Sequence, residues 1–467
     1  MSTDTEKGKY VSPDGSKTWE YLATFVCSLL FLCVGTISGW NSPTTVLLLA
    51  PDSPIPVTSS EISTLAAIVT MGYMLGSPLC MVIVDKIGRK NTLLFSVVPM
   101  MVSWGLVMIA ESVIVLWIAR LIAGFSLGLC LCVTPMYLGE ISSVDTRGAG
   151  GALLGIMYNL GVLLAFTVVP YLSIPVMAGI FLLLSLCFFI IFCFMPDSPY
   201  YLAMKGRMEE AEEVLEKLRG KTDVSEESRV ILESLKKEEK NKTERRATLK
   251  DIFMIAGNRR AFFILLCFVM NHKFGGFIVI VVYGQLIFQE TATAISDHTA
   301  NIAIGVAQVI SCILTIFLVD RVGRRPLIFL SGFMVGLCNL AVGSFFYAKD
   351  YLDMDVSSFS LVPFAACTLM VFFFNCGFTG LQLVVMSEIF AIEVKALSTC
   401  VIGIVAGMLG TLSCKLYIFI ALTCGYGHSF PFIGSFIVVW VSTAVILRLL
   451  PETKGKTFAE IQRELQD

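Results

Sequence analysis

The sequence predicts an all-α membrane protein with twelve transmembrane helices, arranged as two six-helix pseudo-repeats joined by a helical linker. The first observation is composition: of 467 residues, 56% are hydrophobic and 15% are charged, whereas soluble domains have about 25% charged residues. The second is length: apolar stretches of about 20 residues, enough to cross a hydrocarbon core of ~30 Å as a helix, recur from Tyr21 to Leu450. The third is that three short motifs occur in both halves of the chain.

The apolar runs define six helices on each side of a long charged stretch. The predicted helices cover residues 21–42, 61–84, 91–110, 113–138, 150–170, 175–195, 261–288, 299–319, 326–348, 358–387, 396–423 and 429–450. The predicted organisation is an N-terminal tail (1–20), a first half (21–195), a linker (196–260), a second half (261–450) and a C-terminal tail (451–467). Within the linker, Gly206–Gly220 places Val214, Leu215 and Leu218 on one stripe and ends in a glycine, which predicts a short helix packed beneath the bundle.

The positions of Lys and Arg orient the helices. Leaving out the long linker, 14 basic residues lie in the termini and in the loops after even-numbered helices, and one, Lys349, lies in the opposite set of loops. Because cytoplasmic loops carry the excess of Lys and Arg, both termini are predicted to be cytoplasmic. The glycosylation sequon Asn241–Thr243 then lies in the cytoplasm and is expected to be unmodified.

Charge and residue usage exclude several classes of function. A net charge of −2 argues against a nucleic-acid binder. The 15 cysteines lie mostly in apolar runs without a C-x-x-C pair, which favours buried free thiols over disulfides. His272, His298 and His428 are far apart in the sequence, so we predict no metal site and no cofactor. An enzyme is disfavoured because the sequence has no nucleophile–base set, P-loop or glycine-rich nucleotide motif.

Three motifs occur once in each half, in the same order. The first is D-[KR]-x-G-R-[KR], at Asp85–Lys90 and Asp320–Arg325. The second is an acid followed seven residues later by a base, Glu140 with Arg147 and Glu388 with Lys395. The third is Pro196–Pro199, with its counterpart Pro451–Lys454. One interpretation is that the basic turns only fix the topology. The repetition of all three motifs in register favours another, in which their charges hold the halves together when the cytoplasmic side is closed. Parallel six-helix repeats around a midplane cavity indicate a carrier that rocks between two states.

Four basic residues interrupt the apolar runs: Arg120, Lys273, Lys415 and Arg448. The last two lie near helix ends, from which a long side chain reaches the interface. Lys273 lies about 12 residues, or ~18 Å, into the seventh helix, where an unpaired lysine costs ~2.5–3.5 kcal/mol. No Asp or Glu occupies the middle of an apolar run, so we predict that Lys273 faces a wet cavity; the alternative is a helix–helix seam with carbonyl partners. His272 and the pair Gly275–Gly276 indicate a polar, irregular lining beside it.

The motifs resemble the sugar-porter family of the major facilitator superfamily, and most closely its insect facilitated trehalose transporters. The resemblance covers about residues 20–465 and rests on Gly39–Pro43, Arg120–Gly124, Pro135–Ser142, Arg147–Gly148, Pro196–Pro199, Asp320–Leu327, Ser387–Phe390 and Pro451–Gly455. It implies alternating access to a central sugar site in the plasma membrane, with a small-molecule solute and the lipid bilayer as partners and a monomer sufficient for function. It also implies a cytoplasmic gate formed by Asp85, Arg89, Glu140, Arg147, Asp320, Arg324, Glu388 and Lys395.

The sugar-binding residues that the resemblance implies are largely replaced. The two glutamines of the family's seventh helix fall on His272 and Lys273, and the tryptophan of its tenth helix falls on Leu383. Each lost partner leaves a buried hydroxyl unpaired at ~1–3 kcal/mol, so tight binding of glucose or trehalose in the family's geometry is not expected. The candidate cavity residues are Asn41, Asn159, His272, Lys273, Gln285, Gln308, Gln382 and Leu383.

The first helix indicates the mode of transport. Proton-driven members of the family have an acid where this chain has Asn41, so facilitated transport without proton coupling is expected; a lysine that carries a proton beside His272 is the alternative. The favoured function is a facilitative carrier of hexose- or trehalose-like sugars. The alternatives are a carrier of an anionic or less polar solute and a non-transporting nutrient sensor, while the paired gate motifs disfavour a channel.

Overall fold

The structure, a computed structural model, describes residues 16–143, 145–244, 249–291, 295–390, 392–452, 460 and 463–464. Over this range it contains twelve helical segments that are long and apolar enough to cross a membrane, which confirms the predicted number and the all-α class. Numbered in chain order, the twelve spans are Thr18–Leu49, Ser59–Ile87, Arg89–Met108, Val113–Ile141, Arg147–Tyr171, Ile174–Cys193, Ala256–Gln289, Asp297–Val319, Arg324–Tyr351, Ser357–Gln382, Leu397–Thr423 and Ser429–Leu449.

Several spans extend beyond the apolar runs that predicted them. Span 2 covers Ser59–Ile87 rather than 61–84, and span 7 begins at Ala256 rather than at 261. The outer start of span 2 is fixed by a capping box, in which Thr58 Oγ1 accepts the Glu61 N–H at 3.3 Å and the Thr58 N–H donates to the Glu61 carboxylate at 2.8 Å. Such polar ends add helical turns that hydropathy alone does not detect.

Span 7 is broken near the centre of the membrane. It consists of Ala256–Phe274 and Phe277–Gln289, and Gly276 between them has a φ of +88°, a conformation that favours glycine. Asn339 of span 9 donates its Nδ2 to the Gly275 carbonyl at 3.0 Å, so a group near the break finds a partner in a neighbouring helix. The glycine pair thus interrupts the helix beside His272 and Lys273.

Spans 10 and 11 contain π-helical turns. In span 10, Asn375–Thr379 joins the α-helices Val362–Phe374 and Gly380–Ile389. In span 11, the helix Ile392–Ile418 continues into the π-helical turn Phe419–Thr423. Single π-turns occur frequently at functional sites, and the turn of span 10 lies within the half that carries Lys273.

Glycines bring helix backbones of the first half into direct contact. A Cβ on Gly35 of span 1 would lie 2.1 Å from the carbonyl oxygen of Tyr158 in span 5. A Cβ on Gly124 of span 4 would lie 2.0 Å from the carbonyl oxygen of Val69 in span 2. Small residues of this kind let membrane helices pack closely by van der Waals contact, and they make the first half a tight unit.

The two halves meet along three pairs of spans. Span 2 packs against span 11, span 5 against span 8, and the outer segment of span 1, Asn41–Leu49, against the outer segment of span 7. At the seam between spans 2 and 11, the hydroxyls of Thr70 and Thr411 are hydrogen-bonded at 2.7 Å, and Met74 packs directly on Gly407. These pairs form the interface between the halves.

The linker folds into short helices on the cytoplasmic side, as predicted. They are Pro199–Met204, Met208–Arg219, Ser225–Glu244 and Leu249–Met254. The second one buries Ala211, Leu215 and Leu218 and ends at Gly220, which has a φ of +62°.

A buried ion pair anchors this linker to the first half. The carboxylate of Glu20, at the start of span 1, is fully buried and accepts the Arg219 Nη1 at 2.9 Å and the Ser143 N–H at 2.7 Å. Thr146 donates its hydroxyl to the same carboxylate. The second linker helix is therefore fixed both to span 1 and to the loop between spans 4 and 5.

Candidate functional site

Buried polar contacts connect the two halves at the outer side. Ser42 of span 1 donates its Oγ to Asn301 Oδ1 of span 8 at 3.3 Å and accepts the Gln285 N–H of span 7 at 3.0 Å. The Gln285 side chain is fully buried, and its Nε2 lies 3.1 Å from Asp297 Oδ2 and 2.8 Å from His298 Nδ1. Gln285, a candidate cavity residue, thus takes part in closing the outer side.

A second set of contacts strengthens this outer closure. Lys415 of span 11 is exposed and donates its Nζ to Thr64 Oγ1 of span 2 at 2.8 Å. The rings of Tyr171 and His298 lie 5.9 Å apart across the halves. In this structure the outer sides of the two halves are in contact.

Lys273 lies beside the seam between spans 2 and 11. Its carbonyl oxygen accepts the Ser413 hydroxyl, and its side-chain carbons lie 3.5 Å from the position that a Cβ on Gly410 would take. The methyl of Thr70 lies 3.1 Å from that same position, so the lysine points towards the contact between the halves. In the part of the chain that the structure describes, no carboxylate pairs with the half-buried ammonium.

His272 belongs to an aromatic cluster of the second half. Its ring centroid lies 5.5 Å from that of Phe277 and 5.8 Å from that of Phe374. Phe277 and Phe374 stack at 4.5 Å with an interplanar angle of 11°, and Phe378 lies 5.3 Å from Phe374. Aromatic faces therefore line the region next to Lys273, although Leu383 replaces the tryptophan that the resemblance implies.

Asn41 lies against the buried arginine of span 4. Its Oδ1 accepts the Arg120 Nη2 at 3.2 Å, and the same nitrogen donates to the Ile37 carbonyl at 2.7 Å. The Trp40 ring covers the guanidinium at 4.5 Å. The amide that replaces an acid in the first helix is therefore directly next to the cation.

The remaining cavity candidates are distributed around the seam between spans 5 and 8 and on span 10. Asn159 is buried and donates its Nδ2 to the Gly155 carbonyl at 2.9 Å, one turn away. Gln308 is buried with its Nε2 unpaired among the described residues. Gln382 is half-buried, and the side chain of Leu383 lies outside the described part of the structure.

In the first half the gate candidates form a compact cluster around Arg89, which is 3% exposed. Arg89 donates its Nε to Glu140 at 2.9 Å and its Nη1 to Asp85 at 3.0 Å. Ser198, from the motif Pro196–Pro199, donates its hydroxyl to the other oxygen of Glu140. The three motifs of this half therefore meet at one arginine.

Two further observations complete this cluster. The rings of Tyr200 and Tyr201 lie 5.9 and 5.6 Å from the Arg89 guanidinium, and the Tyr201 hydroxyl donates to the Lys86 carbonyl at 3.1 Å. Arg147 is exposed and lies apart from the Arg89–Glu140 pair. Glu140 thus pairs with the base of the first motif.

In the second half the structure describes a contact between the third motif and the first. Glu452 accepts the backbone N–H of Arg324 at 3.2 Å and that of Arg325 at 3.0 Å, where span 9 begins. The Arg325 Nη2 donates to the Leu447 carbonyl at 2.6 Å. The side chains of Asp320, Glu388 and Lys395 lie outside the described part of the structure.

Sequence reasoning missed several of these positions. Ser42 and Asn301 join the halves, and Asn339 supports the break in span 7, but isolated polar residues in apolar runs give no signal of their partners. Ser198 lies within a recognised motif, so its contact with Glu140 could have been proposed from the sequence. The Phe277–Phe374 stack had no signal beyond the abundance of aromatic residues.

Twelve spans in two halves, with a polar closure at one face and charged motifs at the other, define a membrane carrier of the rocking type. The profile of the family described as "Sugar (and other) transporter" matches residues 9–465, and the chain belongs to this family. The protein is accordingly a multi-pass membrane transporter for sugars and not an enzyme.

Individual relatives and solved structures agree with this assignment. The chain is 27% identical over 448 residues to a facilitated trehalose transporter Tret1 of Apis mellifera ligustica, covering 96% of this chain and 88% of the relative. It is 27% identical over 488 residues to the Tret1 of Bombyx mori, covering 100% and 93%. The fold matches the xylose transporter XylE of E. coli in a partially occluded inward-open conformation, with a TM-score of 0.78 and 19% identity over 94% of this chain and 100% of that one.

Proposed function

We propose that this protein carries a hexose- or trehalose-like sugar down its concentration gradient across the plasma membrane by alternating access, with both termini in the cytoplasm. The proposal rests mainly on a difference between the outer and the cytoplasmic sides of the two halves. Ser42 links the first half to Gln285 and Asn301 at the outer side, while Asp85 and Arg147 at the other side are exposed. Such an arrangement corresponds to a carrier that is closed outside and accessible from the cytoplasm.

The cavity of this carrier is formed between His272 and Lys273 of span 7, Asn159 of span 5 and Gln308 of span 8. The Phe277–Phe374 stack supplies an apolar face for a sugar ring, and amides with unpaired hydrogens such as Gln308 Nε2 supply donors for hydroxyls.

Access to Lys273 can be tested directly. With background cysteines replaced, Lys273→Cys is expected to react with a water-soluble thiol reagent, whereas inertness in both orientations would exclude a position in the cavity.

The cytoplasmic gate residues act as a releasable latch in this proposal. The Arg89–Glu140 pair keeps the first-half cluster assembled, and Arg147, exposed in the present state, becomes a partner for the second half when the cytoplasmic side closes. The latch includes Asp320, Arg324, Glu388 and Lys395 from the second half, by the repetition of the motifs.

Transport is proposed to be independent of a proton gradient. Asn41 occupies the position next to Arg120 where a carboxylate would be needed to exchange a proton. An amide does not titrate, so the first half has no acid that could couple proton movement to sugar movement at this place. Equal initial rates with and without an inward proton gradient are therefore expected.

The direct test is uptake of labelled trehalose and glucose into proteoliposomes without a pH gradient. We expect saturable uptake of at least one of them, and its absence from folded protein would contradict the proposal. Uptake of an acidic sugar alone, abolished by Lys273→Gln, would instead identify an anionic substrate paired with Lys273.

A pair of cysteine substitutions tests whether transport requires the outer side to open. Ser42 and Asn301 are hydrogen-bonded side chain to side chain, so in a background without reactive cysteines the double variant Ser42→Cys/Asn301→Cys can be cross-linked by an oxidant. Cross-linking is expected to stop uptake and a reductant to restore it, while each single variant continues to transport under both conditions. Transport that persists in the cross-linked protein would exclude opening of the outer side as a step of the cycle.

A further inference from the structure

Arg120 carries an uncompensated charge in the interior of the first half. It is 0% exposed, and its partners are neutral: the Ile37 carbonyl at 2.7 Å, Asn41 Oδ1 at 3.2 Å and the face of Trp40 at 4.5 Å. Across the described residues, no carboxylate pairs with it. A guanidinium stays protonated in proteins, and taking a charge out of water costs several kcal/mol unless another charge compensates it.

Three buried hydrogen-bond donors at this arginine have no acceptor among the described residues. The Nε and Nη1 of Arg120 are unpaired, and so is the Nε1 of Trp40, whose ring covers the guanidinium. The surroundings of Arg120 therefore offer N–H groups and a positive charge, which is the chemistry of an anion site.

We propose that a small monovalent anion, with chloride as the representative, binds at Arg120 between spans 1 and 4. A water molecule or a sugar hydroxyl could accept the free hydrogens but would leave the charge uncompensated, whereas an anion does both. The enclosure between Trp40, Asn41 and the buried guanidinium favours a single small ion over a larger oxyanion, which would lose more hydration on entry. The ion takes the place of a carboxylate that Asn41 lacks, and this role is independent of which solute the carrier moves.

Binding to the folded protein can be measured without transport. The melting temperature of the purified full-length chain in detergent is recorded while chloride replaces gluconate at constant ionic strength. Above the dissociation constant, a ligand that binds only the folded state should raise the melting temperature by roughly 1 °C for each tenfold increase in concentration in a chain of this length. Bromide should act like chloride, and sulfate should have no effect.

Three variants assign the response to Arg120. Asn41→Asp provides a fixed carboxylate beside the guanidinium, so it should melt higher than the natural protein in gluconate and should not respond to chloride. Arg120→Gln should also lose the response, and if it fails to fold, Asn41→Asp still decides the question. Lys273→Gln removes the other mid-membrane cation and should retain the full chloride response.

Two results would overturn the proposal. One is a melting temperature of the natural protein that is the same in chloride and gluconate. The other is a chloride response that survives in Asn41→Asp or disappears in Lys273→Gln, because the ion would then bind elsewhere. Since the readout is stability, either result leaves the sugar-carrier function unaffected, and a failure of sugar uptake leaves this site unaffected.

Discussion

The two halves of the molecule contain the same charged motifs, and the structure describes a different contact of those motifs in each half. In the first half, the side chain of Arg89 is buried and bonds to the carboxylate of Glu140 at 2.9 Å. In the second half, the carboxylate of Glu452 accepts the backbone N–H groups of Arg324 and Arg325 at the start of span 9. The first contact is an ion pair between side chains, and the second is a helix cap.

These two contacts are expected to differ in energy. A buried ion pair that loses one partner leaves an uncompensated charge, which costs about 3–5 kcal/mol. Removing the charge of a helix cap costs about 0.5–2 kcal/mol, because other acceptors or water can replace it.

The halves also differ at the centre of the membrane. Span 1 passes through Trp40 with helical angles, φ −58° and ψ −33°, while span 7 is interrupted at Gly276 with a φ of +88°. The break lies next to His272 and Lys273, so the irregular backbone adjoins two of the candidate cavity residues. The backbone is therefore more regular in span 1 of the first half than in span 7 of the second half.

The largest effect is expected from Gly276→Ala. The side chain would require a left-handed conformation, at ~1–2 kcal/mol, and its Cβ would lie 2.4 Å from Asn339 Oδ1, so the total destabilisation should be about 4 kcal/mol. The melting temperature in detergent measures it. Gly105→Ala, at a position with no neighbour within 4 Å, is the control and should be neutral. Equal melting temperatures for the two variants would show that the break in span 7 does not depend on this glycine.

Arg89→Met is expected to come next. It leaves the mostly buried carboxylate of Glu140 without its cation, so the folded state should lose about 3 kcal/mol and sugar uptake should fall at least tenfold. Arg325→Met is the control in the second half, because its exposed side chain makes a single bond to a carbonyl. A smaller loss for Arg89→Met than for Arg325→Met would contradict a buried ionic role for Arg89.

The sequence predicts much of this fold because a bilayer restricts the structures that a chain can adopt across it. Apolar length gives the twelve spans, but the break at Gly276 divides a helix that the apolar run predicted as one piece, 261–288. The pairings are harder to predict: Glu140 and Arg147 are seven residues apart, yet Glu140 bonds to Arg89, 51 residues away. Contacts between spans depend on helix rotation and crossing, which a single sequence with little amphipathic pattern does not reveal.

A smaller effect is expected from Glu452→Gln. The amide oxygen can still accept one of the two N–H groups of Arg324 and Arg325, but the negative charge at the helix start is lost, which should cost about 1 kcal/mol. Melting temperatures with and without high salt measure this, because the charge contribution is screened. A loss as large as that of Arg89→Met would show that Glu452 also has a buried ionic role.

The smallest effect on stability, and the most informative one on function, is expected from Arg147→Gln. Arg147 is exposed in this structure, so its replacement should change the melting temperature by less than about 1 °C. If it becomes a partner of the second half only when the cytoplasmic side closes, the initial rate of uptake should nevertheless fall several-fold, since the closed state is destabilised alone. Arg207→Gln in the linker, an exposed arginine paired within its own helix turn with Glu210, is the control for a lost surface charge. Unchanged uptake by Arg147→Gln would remove Arg147 from the latch and leave the Arg89 cluster as a purely structural feature of the first half.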